Sequence, residues 1–526
     1  MTSNASPIRT HLYETSAGEL ARAIAEGTLS SAEVVEAHIA RIEQVNAKLN
    51  AVVVKRYDDA RSEAREADRR RAAGAPTGPL HGVPITVKEC IDVAGTPSTF
   101  GLAARAQAAA ADDDRHVARL RAAGAIVVGK TNVAQLLLAF ESSNPVYGRS
   151  NNPWNTDRSP GGSSGGEGAI VAAGGSPLGV GTDIGGSVRI PAAFCGIAGL
   201  KPTQGRTPDR GTGSVPLGQR AIVSQVGVLA RTVDDVALGL GIIAAAPFGE
   251  PSPPLGDHRS VDVASLRVAV FEDDGAYAPG PAVRRAVREA AAALAARGAR
   301  VTSWRPPALD EAIDLYFGLL SADRGRRFKE LLHGERVDPT IAPLITFGQR
   351  SRGMLSIIRR LLVLIGQSGS ADKLRAFGWS DTHHYWELVE RLAAYRERVA
   401  RALDDADGGP IDVLLCPPSP VPAYTHGAAH DLGLLGSYSL LANVLGYPAG
   451  VVPVTRVRSG EETERPASRD MVDAAARRVE QNSAGLPLGV QLIARRWHEH
   501  VALAAMRAVE SEASVCVDYP RTPVAI

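Results

Sequence analysis

Cysteine is scarce in this sequence: Cys90, Cys195, Cys416 and Cys516 are four thiols spread over 526 residues. Too few and too far apart for a disulfide framework or a Cys/His zinc site, they suit a reducing, cytosolic setting. Long hydrophobic runs are also missing. Nowhere do about 18 consecutive apolar residues occur, the length a membrane-spanning helix requires. Excess charge of either sign is absent, with 58 Lys and Arg against 57 Asp and Glu and a net charge of +1. No global field therefore draws the chain to nucleic acid. Residues Met1 to Thr10 lack the basic start and apolar core of a secretory signal, so a cytoplasmic protein is expected, with a peripheral place on a membrane left open.

What is present is globular. Hydrophobic residues make up 44% and charged residues 22%, enough for a sizeable core and unlike disorder. Residues 1–75 read as a helical segment: Ala17 to Glu26, Ser31 to Lys48 with Val34, Val35, Ile39, Ile42 and Val45 on one stripe, and a polar Asp58 to Ala73. Strands follow at Val83 to Val87, Ala125 to Val128 and Leu178 to Val180. A strand, helix, strand unit spans Leu266 to Trp304, and more strands fall at Val413 to Cys416, Gly450 to Val454 and Leu488 to Ile493. Strands alternating with helices predict an α/β fold, a large sheet covered by helices on both faces. Without internal repeats or long linkers, 1–526 reads as a single domain.

Two motifs mislead. Gly124 to Thr131 matches the phosphate-binding pattern GxxxxGK[ST], but Ile126, Val127 and Val128 are β-branched residues of a strand interior rather than a cradle of exposed amides. Gly161 to Gly165 matches GxSxG, but the preceding Trp154 to Pro160 is polar and proline-containing where a nucleophile elbow needs a strand. His498-Glu-His500 lacks a third ligand, and no metal or cofactor is expected.

The chemistry gathers in Lys88, Ser163 and Ser187. A serine hydroxyl is a poor nucleophile until a base takes its proton, and a lysine can be that base when burial lowers its pKa. Lys88 closes an apolar strand. The loop Ile184-Gly185-Gly186-Ser187 offers consecutive amides for an oxyanion, with Asp183 and Arg189 placed to pin it.

The segment from Ser159 to Thr203, SPGGSSGGEGAIVAAGGSPLGVGTDIGGSVRIPAAFCGIAGLKPT, resembles the defining block of the amidase signature family. His81-Gly-Val-Pro-Ile-Thr-Val-Lys88 resembles that family's lysine-bearing segment. This resemblance implies the amidase signature fold and a Ser-cisSer-Lys triad, in which Ser187 is the nucleophile, Ser163 the bridge and Lys88 the base. Ile184, Gly185, Gly186 and Ser187 would form the oxyanion hole, and Ser164 would be a supporting hydrogen-bonder. Lys88-Glu-Cys90, Thr131-Asn-Val133, Asn152-Pro-Trp154 and Pro448 to Pro453 are similar to the fatty acid amide hydrolase branch, whose membrane-spanning N-terminal anchor is not expected here. The implied partner is a small-molecule amide, with a homodimer among the assemblies the resemblance allows.

In the same resemblance, residues of about 340–400 correspond to a helical cap that rests on a bilayer, and Gly353 to Gly366 joins an apolar run to Arg359 and Arg360. By composition alone, a buried helix with surfacing arginines is the favoured reading. Leu136, Leu137, Leu138 and Phe140 would line an acyl channel or belong to the core, while Gly162 and Ser164 complete the expected substrate contacts. Amides with an apolar acyl chain are the leading substrate class, with aryl or short amides and glutamine as alternatives.

Overall fold

The structure, a computed structural model, describes residues 12–209, 218–245, 251–372, 374–375, 377–378, 381–432 and 437–526. The signal reading for Met1 to Thr10 and four positions of the 340–400 segment lie outside them.

Eleven strands build one mixed sheet: β1 (Val52–Lys55), β2 (Pro84–Lys88), β3 (Ile126–Thr131), β4 (Leu178–Asp183), β5 (Ala198–Lys201), β6 (Gln225–Ala230), β7 (Arg267–Val270), β8 (Arg300–Ser303), β9 (Val413–Cys416), β10 (Ala449–Arg456) and β11 (Pro487–Ala494). Their spatial order is β1-β3-β2-β4-β6-β5-β10-β11-β9-β7-β8. At one end β3, β2 and β4 run parallel, and at the other β9, β7 and β8 do so. Antiparallel pairs from β4 through β6, β5, β10 and β11 to β9 join the two.

Local sequence explains the placement. Every residue of β2, β3, β4 and β6 is buried, as befits strands with helices packed on both faces. The expected alternation at Val83, Ile85 and Val87 therefore hides a strand whose polar members, Thr86 and Lys88, are buried too. The helices Ala17–Ala25 and Ser31–Leu49 begin in capping boxes formed by Ser16 with Glu19 and Ser30 with Glu33. Strands β2 and β4 are parallel neighbours, so their C-terminal ends, Lys88 and Thr182–Asp183, reach one edge of the sheet, where α/β proteins place ligands.

As its β-branched residues require, the segment with the phosphate-loop pattern forms strand β3. Lys130 Nζ donates to Pro97 O and, at 2.8 Å, to Ser98 Oγ, so the ammonium is held inside the protein. No strand runs directly into Ser163: residues 159–164 are loop, and the helix Gly165–Ala172 begins just after them.

Candidate active site

Lys88 is fully buried, and its Nζ lies 2.8 Å from Ser163 Oγ and 2.9 Å from Thr182 Oγ1, with Thr182 O at 3.3 Å. Burial pushes its pKa below the usual lysine value, while the charges of Cys90, Asp209, Asp183 and Glu167 pull the other way. The Gly162–Ser163 peptide is cis. Ser142 Oγ holds this turn, donating toward Gly161 O and Ser163 O and accepting from the Gly165 amide at 2.8 Å.

Ser187 stands beside this pair, its carbonyl accepting from the Ser164 amide at 3.2 Å. It retains 6% exposure, and its side chain lines a cavity of about 130 Å³. The loop before it is held from outside. Asp183 Oδ1 accepts from the Gly186 amide at 2.9 Å, and Oδ2 from Val188 at 3.1 Å. Arg189, itself fully buried, donates to both oxygens of Asp183 and to Ser439 O, Asn443 and Gln491. Burial opposes charge on Asp183, but the guanidinium outweighs it and holds the carboxyl below the ordinary carboxylate range. The Gly185 carbonyl accepts from Ser439 Oγ at 2.7 Å. Gly186 has φ +126, and a Cβ there would press on Ser439, so glycine is required.

Of the four amides expected to face an oxyanion, the Gly186 N–H donates to Asp183. Among the described residues, the amides of Ile184, Gly185 and Ser187 have no hydrogen-bond acceptor.

The expected substrate contacts divide. Leu137 and Phe140 line the cavity with Ser187, together with Leu138, Ile184, Tyr316, Phe328 and Leu440. Leu136 turns away, packing with Leu102, Phe328 and Leu332. Gly162 and Ser164 are off the wall. Both are buried, Gly162 against the backbone of Ala139 to Glu141, and Ser164 Oγ points at Thr182 O at 3.5 Å. The turn around Ser163 is pressed into the body of the protein, so of the two glycine-rich loops only the one after Asp183 reaches the cavity. Leu136 and Leu137 both adopt positive φ, 51 and 62, a strained bend in the wall segment.

Sequence reasoning missed Thr182, Ser142 and Glu167. Glu167 is fully buried and accepts from Thr86 Oγ1 at 2.7 Å and Thr131 Oγ1 at 2.9 Å, tying the helix after Ser163 to β2 and β3. Burial pushes its pKa up to about 8, against the two hydroxyls. The only signal was its helix position, one turn beyond Ser163.

The cap segment holds the helices Ala342–Gly348, Arg352–Leu364 and Thr382–Asp404. In Arg352–Leu364 only Leu355 is buried, packing with Leu374 and Phe377, whereas Ile357 is 62% and Leu364 80% exposed. The buried-helix alternative is thereby excluded. Among the described residues, no helix is long and apolar enough to cross a membrane.

A profile of the Amidase family matches residues 33–503. Fatty-acid amide hydrolase 1 of Sus scrofa is 37% identical over 510 residues, covering 94% of this chain and 84% of its own. A glutamyl-tRNA(Gln) amidotransferase subunit of Roseiflexus castenholzii is 32% identical over 507 residues, covering 94% and 95%. A solved fatty acid amide hydrolase superposes with a TM-score of 0.82 at 26% identity, covering 97% of this chain and 87% of that one. Fold, matched profile and relatives agree, and the chain belongs to the amidase signature family, hydrolases of amide carbon–nitrogen bonds.

Proposed function

We propose that this single-domain enzyme hydrolyses amides with an apolar acyl chain through a Ser187–Ser163–Lys88 relay. The observation that carries the reading is the contact of a fully buried lysine with Ser163, beside a serine that opens into an apolar cavity. Neutral Lys88 accepts the proton of Ser163 as Ser163 accepts that of Ser187, and Ser187 Oγ attacks the amide carbon. The amides of Ile184, Gly185 and Ser187 receive the oxyanion, while Gly186 keeps the loop in shape through Asp183. Ser163 then returns a proton to the departing nitrogen, with Lys88 resupplying it, since an amine leaves poorly as an anion. Water attacks the acyl-enzyme by the same relay run again and releases the acid.

The apolar wall supports acyl chains over small polar substrates. A second apolar cavity of about 260 Å³ shares Leu138, Ala139, Leu344 and Phe377 with the first and is also lined by Leu362 of the cap helix. Residues 339–371 carry Arg350, Arg352, Arg359 and Arg360 and no Asp or Glu. An exposed apolar face with that charge suits the headgroup boundary of a bilayer, which makes 353–366 the proposed membrane contact. Competition between a long-chain primary amide and glutamine tests the substrate class. The lipid amide is expected to win, and preference for glutamine would overturn the reading.

A further inference from the structure

The cavity at Ser187 is apolar except at three side chains, Ser187, Ser321 and Tyr316. Ser187 is the proposed nucleophile. Ser321 Oγ donates to Phe317 O at 2.6 Å, back along its own helix. The Tyr316 hydroxyl has no hydrogen-bond partner among the described residues, although the residue is only 8% exposed. On the cavity wall the phenol is open to water, and a ligand that covers it without offering an acceptor leaves it costly to bury.

Its position is fixed. Tyr316 lies in the helix Leu309–Leu320, and its ring meets Phe317 edge to face at 5.1 Å. The hydroxyl rests on Gly185, where a Cβ would overlap it, so the bare glycine is what lets the oxygen stand there. Two residues of backbone span at most about 7 Å, which sets the hydroxyl beside the first few carbons of an acyl group held on Ser187. Burial pushes the phenol pKa up, with the charge of Asp183 adding to the effect, so the group remains a donor throughout the working pH range.

Building on the acyl-chain reading above, we propose that Tyr316 is a specificity residue whose hydroxyl donates to an oxygen carried on the acyl chain close to the scissile carbonyl. Acyl groups bearing a keto or hydroxyl oxygen near the carboxyl end are then preferred over plain hydrocarbon chains. A plain chain covers the phenol and leaves it unpaired, while an oxygenated one satisfies it, a difference worth at least about tenfold.

The test uses two primary amides of equal chain length, one plain and one with a keto oxygen on the third carbon, given to the wild type and to Tyr316→Phe. Fluorophosphonate labelling of Ser187 counts active sites in both. The wild type is expected to favour the oxygenated amide at least about tenfold in kcat/KM, mostly through KM, and Tyr316→Phe to bring the ratio near one. Equal use of both amides by the wild type, or a preference that survives in Tyr316→Phe, overturns the role of Tyr316 and leaves the acyl-chain reading standing. Hydrolysis of neither amide by labelled wild type overturns that reading, and the proposal falls with it.

Discussion

From Ser159 to Thr203 every residue but Ile184 is buried, whereas in the helix Arg352–Leu364 only Leu355 is. The polar groups of the first region are satisfied inside the protein: Asp183 and Arg189 bond each other, and Ser439 and Asn443 of a neighbouring helix bond them, around a loop with three amides left over. The second leaves its apolar groups in the open. Preorganisation and recognition of a surface are opposite uses of burial. A catalytic loop must not reorganise as charge develops, while a docking face must offer area not yet taken from water.

Changes in the first region are expected to act on every substrate, and changes in the second only where a lipid surface is involved. Ser187→Ala should show the largest effect, a fall of at least about 10³-fold in turnover with unfolding unchanged by calorimetry. Lys88→Ala should cost roughly 10²-fold or more on amides and clearly less on esters, whose leaving groups need no proton. Equal loss on both would remove the relay. In the wild type, kcat/KM for amides should rise with pH as Lys88 loses its proton, with a midpoint below the free-lysine range because burial disfavours the ammonium. A flat profile would argue against a lysine base.

Glu167 sharpens the comparison through stability. Its folded-state pKa is raised to about 8 from 4.5, so the folded protein keeps a proton that the unfolded chain has released between those values. Stability from this group is complete below about pH 4.5 and is lost as pH rises toward 8, by up to about 1.4 kcal/mol per pH unit. Glu167→Gln removes that dependence, and denaturant titrations should show it gaining on the wild type between pH 5 and pH 8. The smallest effect on soluble substrates belongs to the cap. Ile357→Glu with Leu361→Glu should leave hydrolysis of a short soluble amide unchanged and weaken co-sedimentation with anionic vesicles about tenfold or more.

The two regions also differed in how far the sequence revealed them. The Lys88–Ser163 contact, the Asp183–Arg189 pair and most strands were readable because glycine spacing and apolar runs are local signals. Val413–Cys416 was expected and found with the same bounds. Strands β1, β5 and β6 went unread, since a four-residue edge strand and fully buried segments carry no clear alternation to separate them from helix or loop. The bond from the Gly186 amide to Asp183 was not readable, because Asp183 reaches it only through the turn's geometry. Tyr316 comes 129 positions after Ser187 and meets Gly185 only in the folded chain. For the cap, composition allowed either a buried or an exposed helix, and neighbouring elements decided it.

The most direct test of the central claim is to label the enzyme with a fluorophosphonate and map the adduct by mass spectrometry. The account predicts phosphonylation of Ser187, lost in Ser187→Ala and slowed in Lys88→Ala; an adduct on Ser163, or full amidase activity in Ser187→Ala, would contradict it.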